Sequence, residues 1–422
     1  MPQREPVAPA RGRFDRAVVA WVLLDWAASA FSAVLITLVV TYVERVAFRD
    51  GGWGVPSGVV WAWTLAVAML ASALAAPWLS AWADRTHAHR RALVGSVAVG
   101  AGAMGLLGSL PPTASVAIIA AIVLGNVGFD LAAIFTGSLL PRIAHGPAAD
   151  RVSACGFAAG YAGGAIALVI ATVLVAAHDR LGLSPAGGLR VAFLFTGGWW
   201  LLFSLPAAFA RFGDGETEAH AATSSRELLA FARSLVSPVP GDGLAPLAAV
   251  LTGAMLVLGA VQTAIAQFSS VALEEFHLDG PALVRLVLLV QAVALPGALG
   301  IGWLAARVSR PIAIAVCLTG WVVVLVAAWF VDSVLHLYGL AVLLALVLGG
   351  VQSVMRAAVA DAAPEGRAGA TFGLLQVGTK LTGFVASFAF GAIYELSGRP
   401  RAGLACLAVQ LLAGWWILRR VR

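Results

Sequence analysis

The sequence predicts an all-α polytopic membrane protein, twelve transmembrane helices arranged as two pseudo-symmetric six-helix bundles, and three observations carry that prediction. Hydrophobic residues fill 60% of the chain and charged residues only 11%, where a soluble domain uses roughly a quarter charged residues for its surface. Apolar runs of about 20 residues recur from end to end, each long enough to cross a hydrocarbon core of roughly 30 Å at about 1.5 Å per residue. The polar and apolar alternation of membrane barrel strands is absent from the sequence, so the spans are expected to be helices.

Taken in order, charged and Pro/Gly-rich breaks divide the chain into segments at about 17–43, 58–82, 92–110, 114–140, 152–177, 190–210, 245–273, 282–305, 312–331, 337–359, 369–391 and 401–419. Before the first, Arg4, Arg11, Arg13 and Arg16 precede an apolar stretch ending in Ala28-Ser29-Ala30, which imitates a signal peptide. Asp25 interrupts that stretch and apolar residues continue to Val43, so it reads as a retained first helix. With the N-terminus in the cytoplasm, eighteen arginines fall in the gaps on that side and seven opposite. Both termini are therefore expected in the cytoplasm of a bacterial plasma (inner) membrane protein.

The second gap holds Asp84, Arg85, His87, His89, Arg90 and Arg91 within eight residues, a cluster expected to lie in water as a hairpin end. The longest gap separates an expected six-helix bundle at 1–210 from one at 245–422. Within this linker, 211–244, Ser224-Ser225-Arg226-Glu227 has the form of a capping box before Leu228, Leu229 and Phe231, which predicts a short amphipathic helix on the inner membrane surface. The halves echo one another: Ser80 to Arg85 after segment two has a counterpart in Gly302 to Arg307 after segment eight, and Pro141 one in Pro364. Duplication of a six-helix unit accounts for both spacings.

Four ionisable residues lie well inside segments: Asp25, Asp130, Arg356 and Lys380. A charge in hydrocarbon costs at least about 2.5 kcal/mol, so each is a functional candidate, and two acids with two bases can also neutralise one another. Each has polar company about one turn away: Asp25 shares a face with Ser29 and Ser32, Asn126 with Asp130, Gln352 with Arg356, and Gln376 with Lys380, while segment seven adds Gln262 and Gln267. Such stripes face protein or water rather than lipid; the plainer reading is an interhelical lock. Gly156, Gly160 and Gly164 form a doubled small-xxx-small pattern, which lets a neighbouring backbone approach closely or slide.

Other functions find less support. The net charge of +6 comes from arginines between apolar runs, a topology signal rather than a nucleic-acid footprint. Cys155, Cys317 and Cys406 sit inside apolar runs, and neither a cofactor nor a metal site is expected. The sequence has no GxxxxGK[ST] phosphate loop and no GxSxG elbow, and His145 with Asp150 match an acyltransferase spacing without its context. An enzyme is not expected.

Two resemblances add to this reading. Asp84-Arg85, after segment two of a six-plus-six chain, resembles the G-x-L-A-D-R-x-G-R-R motif of the major facilitator superfamily, with Ser80, Trp82 and His87 standing where that motif has Gly, Leu and Gly. Asp25-Trp26-Ala27-Ala28-Ser29-Ala30-Phe31 resembles the D-W-A-N-S-A-[FY] signature of the family containing the autophagy-linked vacuolar amino-acid effluxer, with Ala28 in place of Asn. Leu140-Pro141, Gly156 to Gly164, Gly349 to Gln352 with Arg356, and Gly398 to Arg401 resemble that family's later landmarks. The resemblance implies a cavity lined by the first, fourth, seventh and tenth helices, with Lys380 at or behind its wall. It implies proton-coupled alternating access for a small solute, amino acids among the candidates, with Asp25 or Asp130 as the titrating group. Arg356 or Lys380 would be counter-ion or carboxylate binder, and Asp84 and Arg85, followed by Arg90 and Arg91, a cytoplasmic gate. The expected partners are substrate, protons and lipid, with a monomeric protein. The rival reading is a transporter-like receptor or scaffold that no longer transports.

Overall fold

A computed structural model describes residues 15–50, 53–54, 57–212, 230, 233–234, 244–274, 276, 278, 280–365, 367–397 and 400–419. They form twelve helical segments in chain order. The first six are α1 (Arg16–Ala47), α2 (Ser57–Thr86), α3 (His89–Ser109), α4 (Ser115–Ile143), α5 (Gly146–Ala176) and α6 (Pro185–Phe209). The second six are α7 (Leu244–Glu274), α8 (Gly280–Arg307), α9 (Arg310–Ala327), α10 (Val334–Ala362), α11 (Ala368–Ser397) and α12 (Leu404–Leu418). Among the described residues 11 spans are long and apolar enough to cross a membrane, the last of them Arg401–Leu418, which includes part of the 3₁₀ turn before α12, and α11 is not one of the 11. The 30-residue α11 carries Thr371, Gln376, Thr379, Lys380 and Thr382 within an otherwise largely apolar helix. The surface amphipathic helix expected in the linker lies outside the described residues, apart from 230 and 233–234, which are helical.

Local chemistry sets several helix starts. Ser184, Ser309 and Ser333 each accept a backbone N–H of the helix that follows, and Pro185 and Pro311 occupy the first turn, where a missing N–H costs nothing. Two π-turns, Leu35–Val39 and Val43–Ala47, interrupt α1 beyond its midpoint. The chain runs back and forth, so α1, α3, α5, α7, α9 and α11 begin at one end of the molecule, the near end, and the even-numbered helices finish there. Packing repeats between the two sets of six: α1 lies on α5 and α6, and α7 on α11 and α12; α3 lies on α4, and α9 on α10. The sets meet where α2 and α4 pack on α11 and where α5 packs on α8 and α10.

The charged cluster after the second helix departs from its expected place in water. Asp84 and Arg85 belong to the last turn of α2, His89 opens α3, and only His87 and Ala88 connect them. Asp84 and His89 are 5% and 2% exposed, while Arg85, His87, Arg90 and Arg91 remain outside. Periodicity could not separate the buried pair from the solvated residues, because the dividing surface belongs to α11 rather than to the hairpin. His87 holds φ at 51°, the left-handed conformation that favours glycine and the position where the superfamily motif has one. His87→Gly should therefore raise stability by about 1 kcal/mol, visible as a higher apparent melting temperature of the detergent-solubilised protein. An unchanged or lower temperature would show that the His87 side chain contributes more than its backbone costs.

Candidate functional site

Between the two sets of helices lies a cavity of about 480 Å³. Its wall is mostly apolar, with residues such as Leu24, Phe129, Ile265 and Leu348. Lining positions run from 24 to 36 on α1 and from 344 to 356 on α10. On these two helices Asp25 and Arg356 lie at or beside the near-end limit of the lining, whereas on α4 and α11 the lining continues past Asp130 and Lys380 to Thr136 and Phe372, closer to the near end. Helices α1, α4, α7 and α10 contribute to the wall as expected from the resemblance, and α5, α8 and α11 add Tyr161, Gln291 and Lys380. Lys380 faces the cavity itself.

The four intramembrane charges form two complementary pairs, each joining a first-half helix to a second-half helix. Asp25 on α1 receives Arg356 Nη1 and Nη2 at 3.1 and 2.7 Å, a bidentate pair between partly buried groups. Arg356 is further held by its Nε on Ser153 Oγ at 3.0 Å and its Nη2 on the Ser153 carbonyl at 3.0 Å. The rings of Trp21 and Phe157 lie 4.5 and 4.2 Å from the guanidinium carbon, which adds cation–π attraction in a desolvated setting. Trp21 is itself tied to α4 by its indole N–H on the Thr136 carbonyl at 2.7 Å. In the second pair, Lys380 Nζ lies 3.0 Å from Asp130 Oδ1, which also accepts Gln376 Nε2 at 3.0 Å.

The glycine pattern of α5 makes room for this arrangement. A Cβ added at Gly156 would run into the Asp25 carboxylate and lie 2.8 Å from Arg356 Nη2, and one at Gly160 would lie 2.6 Å from Ser29 Oγ. Gly160 faces α1 of its own half, while Gly156 faces both α1 and Arg356 on α10 of the other half, so at these two positions the glycines make room for close packing. Gly164 differs, since a Cβ there would stand 2.5 Å from Gln291 Oε1 on α8. Gly156→Ala should push the Asp25 carboxylate off Arg356 and destabilise the fold by about 2 kcal/mol, the upper part of the usual overpacking range. Equal thermal stability of this variant and the wild type would mean that the pair has slack the geometry does not suggest.

Asp25, Ser29, Ser32, Asp130, Gln262, Gln352, Arg356, Gln376 and Lys380 all line the cavity. Gln352 Nε2 also donates to the Leu348 carbonyl at 3.3 Å. Asn126 is not among the lining residues: its side-chain amide turns back onto the Ile122 carbonyl at 2.9 Å, a local bond that satisfies it one turn away from Asp130. The side chain of Gln267 lies outside the described residues. Sequence reasoning missed Ser153, the Trp21 and Phe157 rings around Arg356, and Gln291. The last was findable, as a lone polar residue deep in an apolar run that has no polar companion to form a stripe.

A second set of polar contacts closes the near end on both seams. On the α2–α11 seam, Asp84 accepts the Gly369 and Ala370 amides at 3.0 and 2.7 Å, at the N-terminus of α11, where the helix dipole favours an anion. His89 braces it, with Nε2 3.1 Å from Asp84 Oδ1 and Nδ1 3.1 Å from Ser138 Oγ. On the α5–α8 side, Arg310 joins Asp150 (Nε to Oδ1, 2.9 Å) to Asp361 (Nη2 to Oδ2, 2.8 Å), and both Asp361 oxygens accept the Gly146 amide at 3.2 Å. Polar contacts thus tie the near ends of helices from opposite halves on both seams. Ala306 stands at the second-half position that matches Asp84, and a second-half carboxylate that accepts a first-half amide is Asp361 at the end of α10. Asp150, half of the acyltransferase-like spacing, is engaged by Arg310, and His145 is exposed. Arg90 reaches the Ala210 carbonyl at 3.2 Å at the end of α6, a contact inside its own half.

Comparison with known proteins agrees with this architecture. A family model described as "Vacuole effluxer Atg22 like" matches residues 55–422. A curated relative from Bacillus subtilis (strain 168), the uncharacterized MFS-type transporter YxiO, is 24% identical over 412 residues, covering 96% of this chain and 95% of its own. Among solved structures, the human organic anion transporter MFSD10 (TETRAN) superposes with a TM-score of 0.71 at 16% identity, over 96% of this chain and 99% of that one. The proton:xylose symporter XylE gives 0.73 at 12% identity, over 96% and 94%.

Proposed function

The chain belongs to the Atg22-like vacuole effluxer family of major facilitator transporters, and we propose that it is a secondary active transporter that moves a small solute by alternating access, coupled to protons. The observation that carries this reading is the pair of ion bridges, Asp25–Arg356 and Asp130–Lys380, which join the two halves at one central cavity. Rocking of the halves about that cavity must remake both bridges, so occupancy of the cavity and protonation of a bridge become linked to which end is open.

The two bridges suit different tasks. Arginine keeps its proton, so the Asp25–Arg356 bridge can only form or break. Both members of Asp130–Lys380 can exchange a proton, and transfer from Lys380 to Asp130 leaves two neutral groups rather than an unpaired charge in the membrane. This bridge is the proposed proton site. The contacts of Asp84 and Arg310 would hold the near end shut in one of the two arrangements of the halves. The arginine bias puts the near end in the cytoplasm of a bacterial inner membrane. The proposed working unit is the monomer, which a cavity lined by residues of both halves of one chain supports. Family likeness brings amino acids forward among the candidate solutes. A receptor or scaffold that had lost transport would have no need of four ionisable groups facing one cavity.

The test is uptake by purified protein in liposomes with an imposed pH gradient. Wild type should accumulate a solute and Asp130→Asn should lose accumulation while retaining counterflow exchange. If no solute moves under either a proton or a concentration gradient, the transport reading is wrong.

A further inference from the structure

Gln291 is 8% exposed, lines the central cavity, and its amide nitrogen has no hydrogen-bond partner. Among the buried side-chain polar atoms without a partner in the described residues, it alone lines that cavity. A buried amide is usually paired, and where one is not, a ligand that completes it is a strong explanation. The amide oxygen lies over Gly164, beside Ser29 on α1, so the group sits where the two halves face each other.

The charged groups of the same cavity are in the opposite condition. Arg356 spends its Nε, Nη1 and Nη2 on Asp25 and Ser153, and two aromatic rings stand against its face. Asp130 is met by both Lys380 and Gln376. A ligand carboxylate taking Arg356 would leave the partly buried Asp25 unpaired, which costs on the order of a hundredfold in affinity. An oxygen of an uncharged group on Gln291 displaces nothing. The mostly apolar wall then accepts the rest of the solute, and about 480 Å³ is at the small end of ligand sites.

We propose that Gln291 is a substrate-recognition residue, and that the transported solute is an uncharged organic molecule presenting a hydroxyl or carbonyl oxygen to its amide nitrogen. This inference rests on the transport reading and gives it a substrate class. The near-isosteric Gln291→Met is the informative variant, because an amide that only held the fold together would be missed when removed. Since this one has no partner, Gln291→Met should leave the melting temperature of the empty protein unchanged or raise it.

Wild type and Gln291→Met in nanodiscs would be titrated by thermal shift with three panels of similar size: monosaccharides, polyols and nucleosides; zwitterionic amino acids; and mono-carboxylates and amines. Hits would then be followed by uptake into liposomes. The expected result is stabilisation of wild type by members of the uncharged panel alone, with affinity for them lowered at least tenfold in Gln291→Met. Binding and uptake confined to amino acids or charged solutes, or uncharged hits that Gln291→Met binds equally well, would overturn the proposal and leave transport standing. A drop in melting temperature of the empty variant would overturn it too, by showing a structural role. Uptake of nothing from any panel would instead remove the transport reading on which it rests.

Discussion

Asp25→Ala is expected to abolish transport and to destabilise the protein by about 3 kcal/mol, because it leaves the Arg356 guanidinium unpaired between α1, α5 and α10. The estimate sits at the low end of the usual range since the Arg356 side chain is 12% exposed toward the cavity, where water can reach it. Arg356→Ala should do the same from the other side, leaving Asp25 uncompensated. The double variant Asp25→Leu with Arg356→Met is the discriminating case. Buried ion pairs exchanged for apolar groups of similar size are often neutral or stabilising, so this variant should recover most of the lost stability. It should not recover transport, because a seam greased by Leu and Met no longer distinguishes the two arrangements of the halves. Melting curves in detergent and uptake in liposomes check both parts. Full transport by the double variant would demote the pair to an interhelical lock.

The second large effect is expected at the near-end gate. Asp84 accepts two backbone amides from α11, each charge-assisted bond contributing about 1.5–3 kcal/mol. Asp84→Ala should therefore shift the balance between end-open states by roughly 2–4 kcal/mol after water replaces part of the loss, which is a thirtyfold to nearly thousandfold change in population. Spin labels on the near ends of α2 and α11 should report a longer distance, and the transport rate should fall at least tenfold because the return step now climbs from a deeper minimum. Arg310→Ala should produce the same phenotype through Asp150 and Asp361, and since the two seams share no residue the effects should add. Unchanged label distances in both variants would mean that the apolar helix packing, and not these contacts, holds the near end closed.

Much of this molecule is legible in its residues. Hydrophobic run length lays out the helices, because the bilayer imposes a length of about 20 residues. The cost of charge in hydrocarbon marks Asp25, Asp130, Arg356 and Lys380 as the residues to watch. The glycines of α5 announce a close helix contact.

Which acid meets which base is another matter. Asp25 and Arg356 are separated by 331 positions and Asp130 and Lys380 by 250, and no periodicity spans such distances. Pairing depends on how two six-helix units face each other, a tertiary fact. The same holds for Asp150 and Asp361, which look like ordinary loop charges until Arg310 is placed between them, and for Asn126, whose spacing suggests a partner of Asp130 while its amide bonds its own helix. Gln291 states the difference most plainly. The sequence by itself determines that an amide lies deep in the eighth helix, since depth follows from counting residues along a span. Only the tertiary structure decides that this residue lines the cavity while its nitrogen is left buried with no protein partner, because satisfaction of a hydrogen bond is settled by neighbours from other helices.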